Sequence, residues 1–120
     1  MTITELAQKL DIPASTLRYY EQIGLITAGR QANGNRDYDS EQAERARRIM
    51  LFKRAGVSIA DLKQLFANSM TDEVALDMLA DAKARIAAQM SQLEATMAFL
   101  DYKTAWHQAQ LQNKRMSSAK

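Results

Sequence analysis

From Asp72 to Lys120 the chain contains neither glycine nor proline, and its apolar residues recur at seven-residue intervals. Leu79, Ile86, Leu93 and Leu100 follow one another at that spacing, and Leu76, Met90 and Met97 fill the alternate positions. Lys83 and Thr104 are the polar exceptions. This is the a/d pattern of a coiled coil, sustained over about four heptads. A helix of roughly 35 residues would be about 50 Å long at the fixed rise per residue. Such a rod cannot bury its stripe against one small domain, so pairing with a second helix is the simplest solution. Leu76, Leu79, Ile86, Met90, Leu93, Met97 and Leu100 are then the dimerisation seam. A methionine-rich stripe also reads as an adaptable ligand surface, but its register with the leucines favours the seam. Tyr102 and Trp106, four apart near the helix end, read as anchors for the tail and mark the place to search for an effector. The tail "QNKRMSSAK" reads as frayed.

Composition narrows what the rest of the chain can do. The 120 residues suit one domain with a moderate core, and 47% hydrophobic with 25% charged residues is the balance of a soluble protein. No apolar run approaches the roughly 20 residues needed to span a bilayer. The start "MTITELAQKL" lacks the layout of a secretory signal, so the expected location is cytoplasmic. The absence of cysteine removes disulfides, thiolate metal sites and thiol redox sensing. The single histidine, His107, is too little for a His-based metal site or a catalytic triad. No glycine-rich phosphate loop occurs. The expectation is a protein without metal or cofactor, and not an enzyme.

The N-terminal part is built of short signals in close succession. Thr2 and Glu5 have capping-box spacing, and Ile3, Leu6, Ala7 and Leu10 make an amphipathic helix. Pro13 opens a second helix from about Ala14 to Ile23, and Gly24 stops it. Two short helices around a tight turn form a helix-turn-helix unit. Adjacent residues on a helix point about 100° apart, so Arg18, Tyr19 and Tyr20 cannot share one face. Leu17, Tyr20 and Leu25 read as core, whereas Ser15, Thr16, Arg18 and Tyr19 fall on the other side. In "AGRQANGNRDYDS", Asn33-Gly34 signals a hairpin because both residues tolerate positive φ. Its polar arms carry Arg30, Arg36 and Tyr38, and the hairpin reads as a surface loop or as an exposed wing. Ser40 is a suitable N-cap for a helix through about Ala55, followed by Gly56. Ser58 and Asp61 repeat the capping-box spacing before the apolar face of Ile59, Leu62, Leu65 and Phe66. "NSMTD", Asn68 to Asp72, is the candidate domain junction. Residues 1–70 carry ten basic against eight acidic side chains, and residues 71–120 carry six of each. "RARRIMLFKR" gathers Arg45, Arg47, Arg48, Lys53 and Arg54 without an acid between them. Alone, this run is a solvated helix face; beside a nucleic-acid motif it becomes an electrostatic footprint.

"ITELAQKLDIPASTLRYYEQIGLI", "NGNRDYD" and "FKRAGVSIADLKQL", in that order over residues 1–70, resemble the MerR family of bacterial transcription regulators. The resemblance implies a mainly α protein: a winged helix-turn-helix DNA-binding domain (1–70) with a small β-hairpin wing. A long dimerisation helix (71–120) would follow it, forming an antiparallel coiled coil with that of a second copy. Members of the family bind a near-palindromic promoter operator in double-stranded DNA. They bend and untwist it so that RNA polymerase can read both hexamers, which is control through DNA shape layered on backbone clamping. Carried over residue by residue, Ser15, Thr16 and Arg18 match recognition-helix positions facing the major groove. Tyr19 matches a phosphate-contacting position, Arg30, Arg36 and Tyr38 match wing positions that grip the backbone, and Lys53 matches a basic position in the second helix pair. Of these, Arg18 is the side chain able to read guanine.

The chain departs from the family pattern in three places. Asn35 stands where a wing aromatic is common, and Pro13 replaces the usual serine cap. The cysteines that metal-sensing and aldehyde-responsive relatives carry, the latter near the position of Leu51, are missing, and 120 residues leave no room for a separate ligand domain. No effector is therefore specified, nor is activation as against repression. An alternative keeps the fold but reads the coiled coil as an architectural or adaptor module recruiting a protein partner. Lys83 favours it slightly, because a cation in the seam weakens self-pairing.

Overall fold

A computed structural model describes residues 1–118. The element order is α1 (Ile3–Leu10), α2 (Ala14–Gln22), β1 (Gly29–Arg30), β2 (Arg36–Asp37), α3 (Ser40–Arg54), α4 (Ile59–Phe66) and α5 (Asp72–Ser118). The mainly α class, the small hairpin and the long last helix are as expected from the sequence.

The short helices begin and end on local chemistry. Thr2 Oγ1 accepts from Glu5 N at 3.2 Å, and Ser58 Oγ accepts from Asp61 N at 3.1 Å. Each side-chain oxygen satisfies an amide that has no partner inside its helix. The stop of α1 is Asp11 itself, in the left-handed region at φ 54°, with Ile12 N donating back to Ala7 O at 3.1 Å. Pro13 precedes α2 in extended geometry without a side-chain cap hydrogen bond. Gly24, at φ +84°, lets Leu25 N donate to Tyr20 O at 2.9 Å and closes that helix.

Two local expectations need correction. Asp39 rather than Ser40 caps α3, its carboxylate accepting from Gln42 N at 2.8 Å. Both are good caps, but the carboxylate adds a favourable charge at the positive end of the helix. The hairpin itself forms as Asn33-Gly34 signals, but its turn does not use positive φ at both residues. Only Gly34 is left-handed, at φ +86°; its N donates to Gln31 O at 2.9 Å, while Gln31 N donates to Asn35 O at 2.7 Å. That is a three-residue loop with glycine in the left-handed position. Asn33 instead accepts from Asn35 N at 3.0 Å through its side chain. The strands pair antiparallel, Gly29 opposite Asp37 and Arg30 opposite Arg36.

Backbone contacts divide the chain into Met1–Ala82 and Lys83–Lys120. Met78 and Ala82, on the first turns of α5, are buried in the N-terminal core. That core is Leu6, Leu10, Leu17, Tyr20, Leu25, Ile26, Tyr38, Ile49, Val57 and Leu62, with small alanines at 43 and 46 where α3 passes close. Phe52 and Phe66 meet edge to face at its margin, 6.4 Å between centroids. The second unit is helical through Ser118, so most of the segment expected to fray is ordered helix, and its last two residues lie outside the described ones. On α5 the residues expected to form a seam, Leu76, Leu79, Met90, Leu93, Met97 and Leu100, are exposed, and Ile86, expected there too, is half-buried. The hydroxyl of Thr104, a polar exception in the heptad pattern, donates to Leu100 O at 2.8 Å and is thus satisfied within its own helix.

Candidate nucleic-acid interface

The site is assembled on α2. Burying Leu17 and Tyr20 fixes the rotation of this helix and leaves Ser15, Arg18 and Tyr19 exposed, with Thr16 half-buried. Tyr19, 46% exposed, leans its ring against Tyr20, 6.2 Å between centroids. One of the paired tyrosines is therefore core and the other is surface, as the 100° rule requires.

The wing is tied to the same helix through one carboxylate. Glu21 Oε2, on the last turn of α2, accepts from Arg36 Nη1 at 2.8 Å and from Tyr38 Oη at 3.2 Å. Arg36 stays half-exposed at the junction. Tyr38 does not stand on the wing surface as expected: it is 1% exposed, a core side chain whose hydroxyl ends on Glu21. Burial, with the Glu21 charge beside it, pushes its phenol above the ordinary value, so it remains a neutral donor. At the wing tip Arg30 is exposed, and its Nη1 donates to Gly34 O at 3.0 Å across the loop. Met1 O accepts from Tyr38 N at 2.8 Å and the Met1 ammonium pairs with Asp37, holding that carboxyl below its usual range.

The basic run on α3 is less uniform than its sequence. Arg45 Nε donates to Leu25 O and its guanidinium lies 4.5 Å from the centre of the Phe66 ring. Arg45 thus clamps the loop after α2 onto α4, a structural duty rather than a free surface charge. Arg47 grips Glu44 with two hydrogen bonds, at 2.7 and 2.9 Å, and Arg48 reaches the same carboxylate at 3.3 Å. Lys53 is exposed, its Nζ donating to Val57 O at 3.2 Å, on the turn between α3 and α4. Ser15, Arg18, Tyr19, Arg30, Arg36 and Lys53 are the exposed members of the expected set, on α2, the wing and the last turn of α3.

Sequence reasoning missed Glu21. Its partners lie 15 and 17 residues away, and nothing in the local pattern of α2 announces them. The region near Tyr102 and Trp106 shows a stack rather than a pocket: Lys103 Nζ sits 4.7 Å from the Trp106 ring centre and His107 meets that ring edge to face. The shallow depression on this helix is lined by Leu100, Lys103, Thr104, His107, Gln108 and Leu111, and neither Tyr102 nor Trp106 takes part. Among the described residues no cluster of His, Asp or Glu is arranged to hold a metal, and no helix is long and apolar enough to cross a membrane.

A helix-turn-helix pair followed by an antiparallel hairpin and a second helix pair defines a winged helix-turn-helix protein. The model of the MerR helix-turn-helix family of regulatory proteins matches residues 1–69, and the chain belongs to that family. It is 37% identical over 67 residues to the transcriptional regulator HmrR of Rhizobium leguminosarum, covering 56% of this chain and 52% of that one. It is 37% identical over 91 residues to the regulator AdhR of Bacillus subtilis, covering 72% of this chain and 65% of the relative. The chain thus spans between half and two thirds of the length of these relatives. Among solved structures, HiNmlR superposes with a TM-score of 0.76 at 27% identity, covering 90% of this chain and 86% of that one. HiNmlR is a MerR-family regulator that lacks the sensor domain and was solved bound to promoter DNA. All three relatives are regulators rather than enzymes.

Proposed function

We propose that the protein is a dimeric, cytoplasmic transcription regulator that binds a near-palindromic promoter operator and acts by bending and untwisting it. The observation that carries the reading is the division of α2: Leu17 and Tyr20 buried, Ser15, Arg18 and Tyr19 outward, with Arg36 of the wing paired to the same helix. In this reading Ser15, Thr16 and Arg18 enter the major groove, and Arg18 reads guanine. Tyr19, Arg30, Arg36 and Lys53 meet phosphates, which position the protein and supply its salt-sensitive affinity. Tyr38 contributes from beneath, through Glu21. A promoter-bound relative of the same fold supports this use of the surface. The exposed stripe from Leu76 to Leu100 supports pairing with a second copy, which gives the twofold symmetry a palindrome needs. RNA polymerase at the same promoter is the further partner.

The test is selection of bound duplexes from a random library, with the complex sized by sedimentation. The reading requires a palindromic site carrying two chains. A folded protein that enriches no site supports instead the adaptor alternative, in which the coiled coil recruits a protein partner.

A further inference from the structure

We infer that Glu21 is a positioning residue for DNA recognition: by holding Arg36 and Tyr38 at once, its carboxylate fixes the wing relative to the recognition helix. The inference rests on the reading of α2 and the wing as a DNA-binding surface. The two strands of the wing are two residues each and cannot set its position by pairing alone. Among the described residues it is tied to the rest of the domain by the Met1 ammonium on Asp37 of β2, by the buried Tyr38 ring and by Glu21. Only Glu21 sits on the helix that would enter the groove. Its side chain is 19% exposed, and both donors converge on the one oxygen, Oε2. A half-buried carboxylate facing a polyanion is unfavourable unless it is paired, and Arg36 supplies the pair. With the pair made, the guanidinium is held at the edge of α2 before DNA arrives. Holding one long side chain in place ahead of binding removes an ordering cost from the complex.

Glu21→Gln keeps the shape and an acceptor for Tyr38 but removes the charge that holds Arg36. The measurement is affinity for the selected operator and for an unrelated duplex, with thermal melting as the check on folding. Specific affinity should fall by about threefold to tenfold, the range expected for loss of one pre-ordered side chain. Non-specific binding should stay equal or strengthen, because an acid has been removed from a surface facing phosphates. In an Arg36→Gln background the same change should no longer weaken operator binding, since nothing is left to position. Tyr38→Phe, which keeps the buried ring, should show a smaller loss of the same sign and serves if Glu21→Gln does not fold. Equal change in both affinities, or the same loss with and without Arg36, overturns the inference while leaving the DNA-binding reading in place. A wild-type protein that binds no duplex overturns both.

Discussion

Arg18 and Leu17 are neighbours on α2 with opposite surroundings, one exposed and the other fully buried. Leu17→Ala should lower stability by about 2–5 kcal/mol, through lost burial and the cavity left behind. Denaturant titration reads this as a shifted midpoint at constant slope. Arg18→Ala should leave that midpoint within about 0.5 kcal/mol, as exposed substitutions usually do, yet weaken operator binding by about tenfold or more. Retained operator affinity in Arg18→Ala would sink the assignment of Arg18 to base reading. The two-faced character of α2 was legible because helical spacing alone separates Leu17 and Tyr20 from Ser15, Arg18 and Tyr19. Glu21, Tyr38 and Arg45 were not, because each takes its meaning from a partner 15 to 21 positions away. Tyr38 looked like a wing residue by its place in the chain and became core because the wing folds its aromatic inward onto Glu21. Arg45 looked like one of five equivalent cations, and only the fold sets it on Leu25 O and Phe66.

At the scale of elements, caps were the most readable feature and also the one most easily displaced by a single position. The sequence "DS" offers two good caps in a row at the start of α3, and Asp39 is the one whose carboxylate accepts from Gln42 N. Asp39→Ala should cost about 1 kcal/mol, whereas Ser40→Ala should cost far less. Measuring both by chemical denaturation distinguishes them, and the reverse order would refute the cap. Helix α3 also carries an acid-sensitive device. Hydrogen bonds from Arg47, reinforced by the charges of Arg47 and Arg48, hold the Glu44 carboxyl at about 2 against its ordinary 4.5. A carboxyl depressed in the folded state contributes stability above its unfolded value, and that contribution disappears as pH falls from 4.5 toward 2. Since the pair is exposed, salt should reduce the effect. Melting temperature followed across that window should fall less steeply in Glu44→Gln than in the wild type. Identical slopes would show that the pair is not formed in solution.

For the whole molecule, the heptad pattern leaves a physical demand that a single chain does not meet. Leu93 is 69% exposed and Leu76 65%, and the apolar positions between and beyond them line up along α5. An aligned apolar stripe of this length is unusual on a lone soluble chain. Among the described residues of α5, Met78 and Ala82, outside the a/d stripe, are the ones buried, within the N-terminal unit. The change of composition begins at Asp72, but the first turns of α5 also have a face for the N-terminal core, so contacts divide the chain after Ala82. If the stripe is a self-pairing seam, sedimentation equilibrium should give a dimer for the wild type. Leu93→Asp should shift it toward monomer at the same concentration, because a charge would be buried where a knob should fit. Lys83→Leu should tighten the dimer by removing the seam's own cation. Operator binding should follow assembly, with Leu93→Asp losing the palindromic complex while its DNA-facing side chains are untouched. If Leu93→Asp instead leaves assembly unchanged, the seam is not where these chains meet. If the wild type is monomeric until another protein is added, the stripe belongs to that partner and the adaptor reading takes precedence.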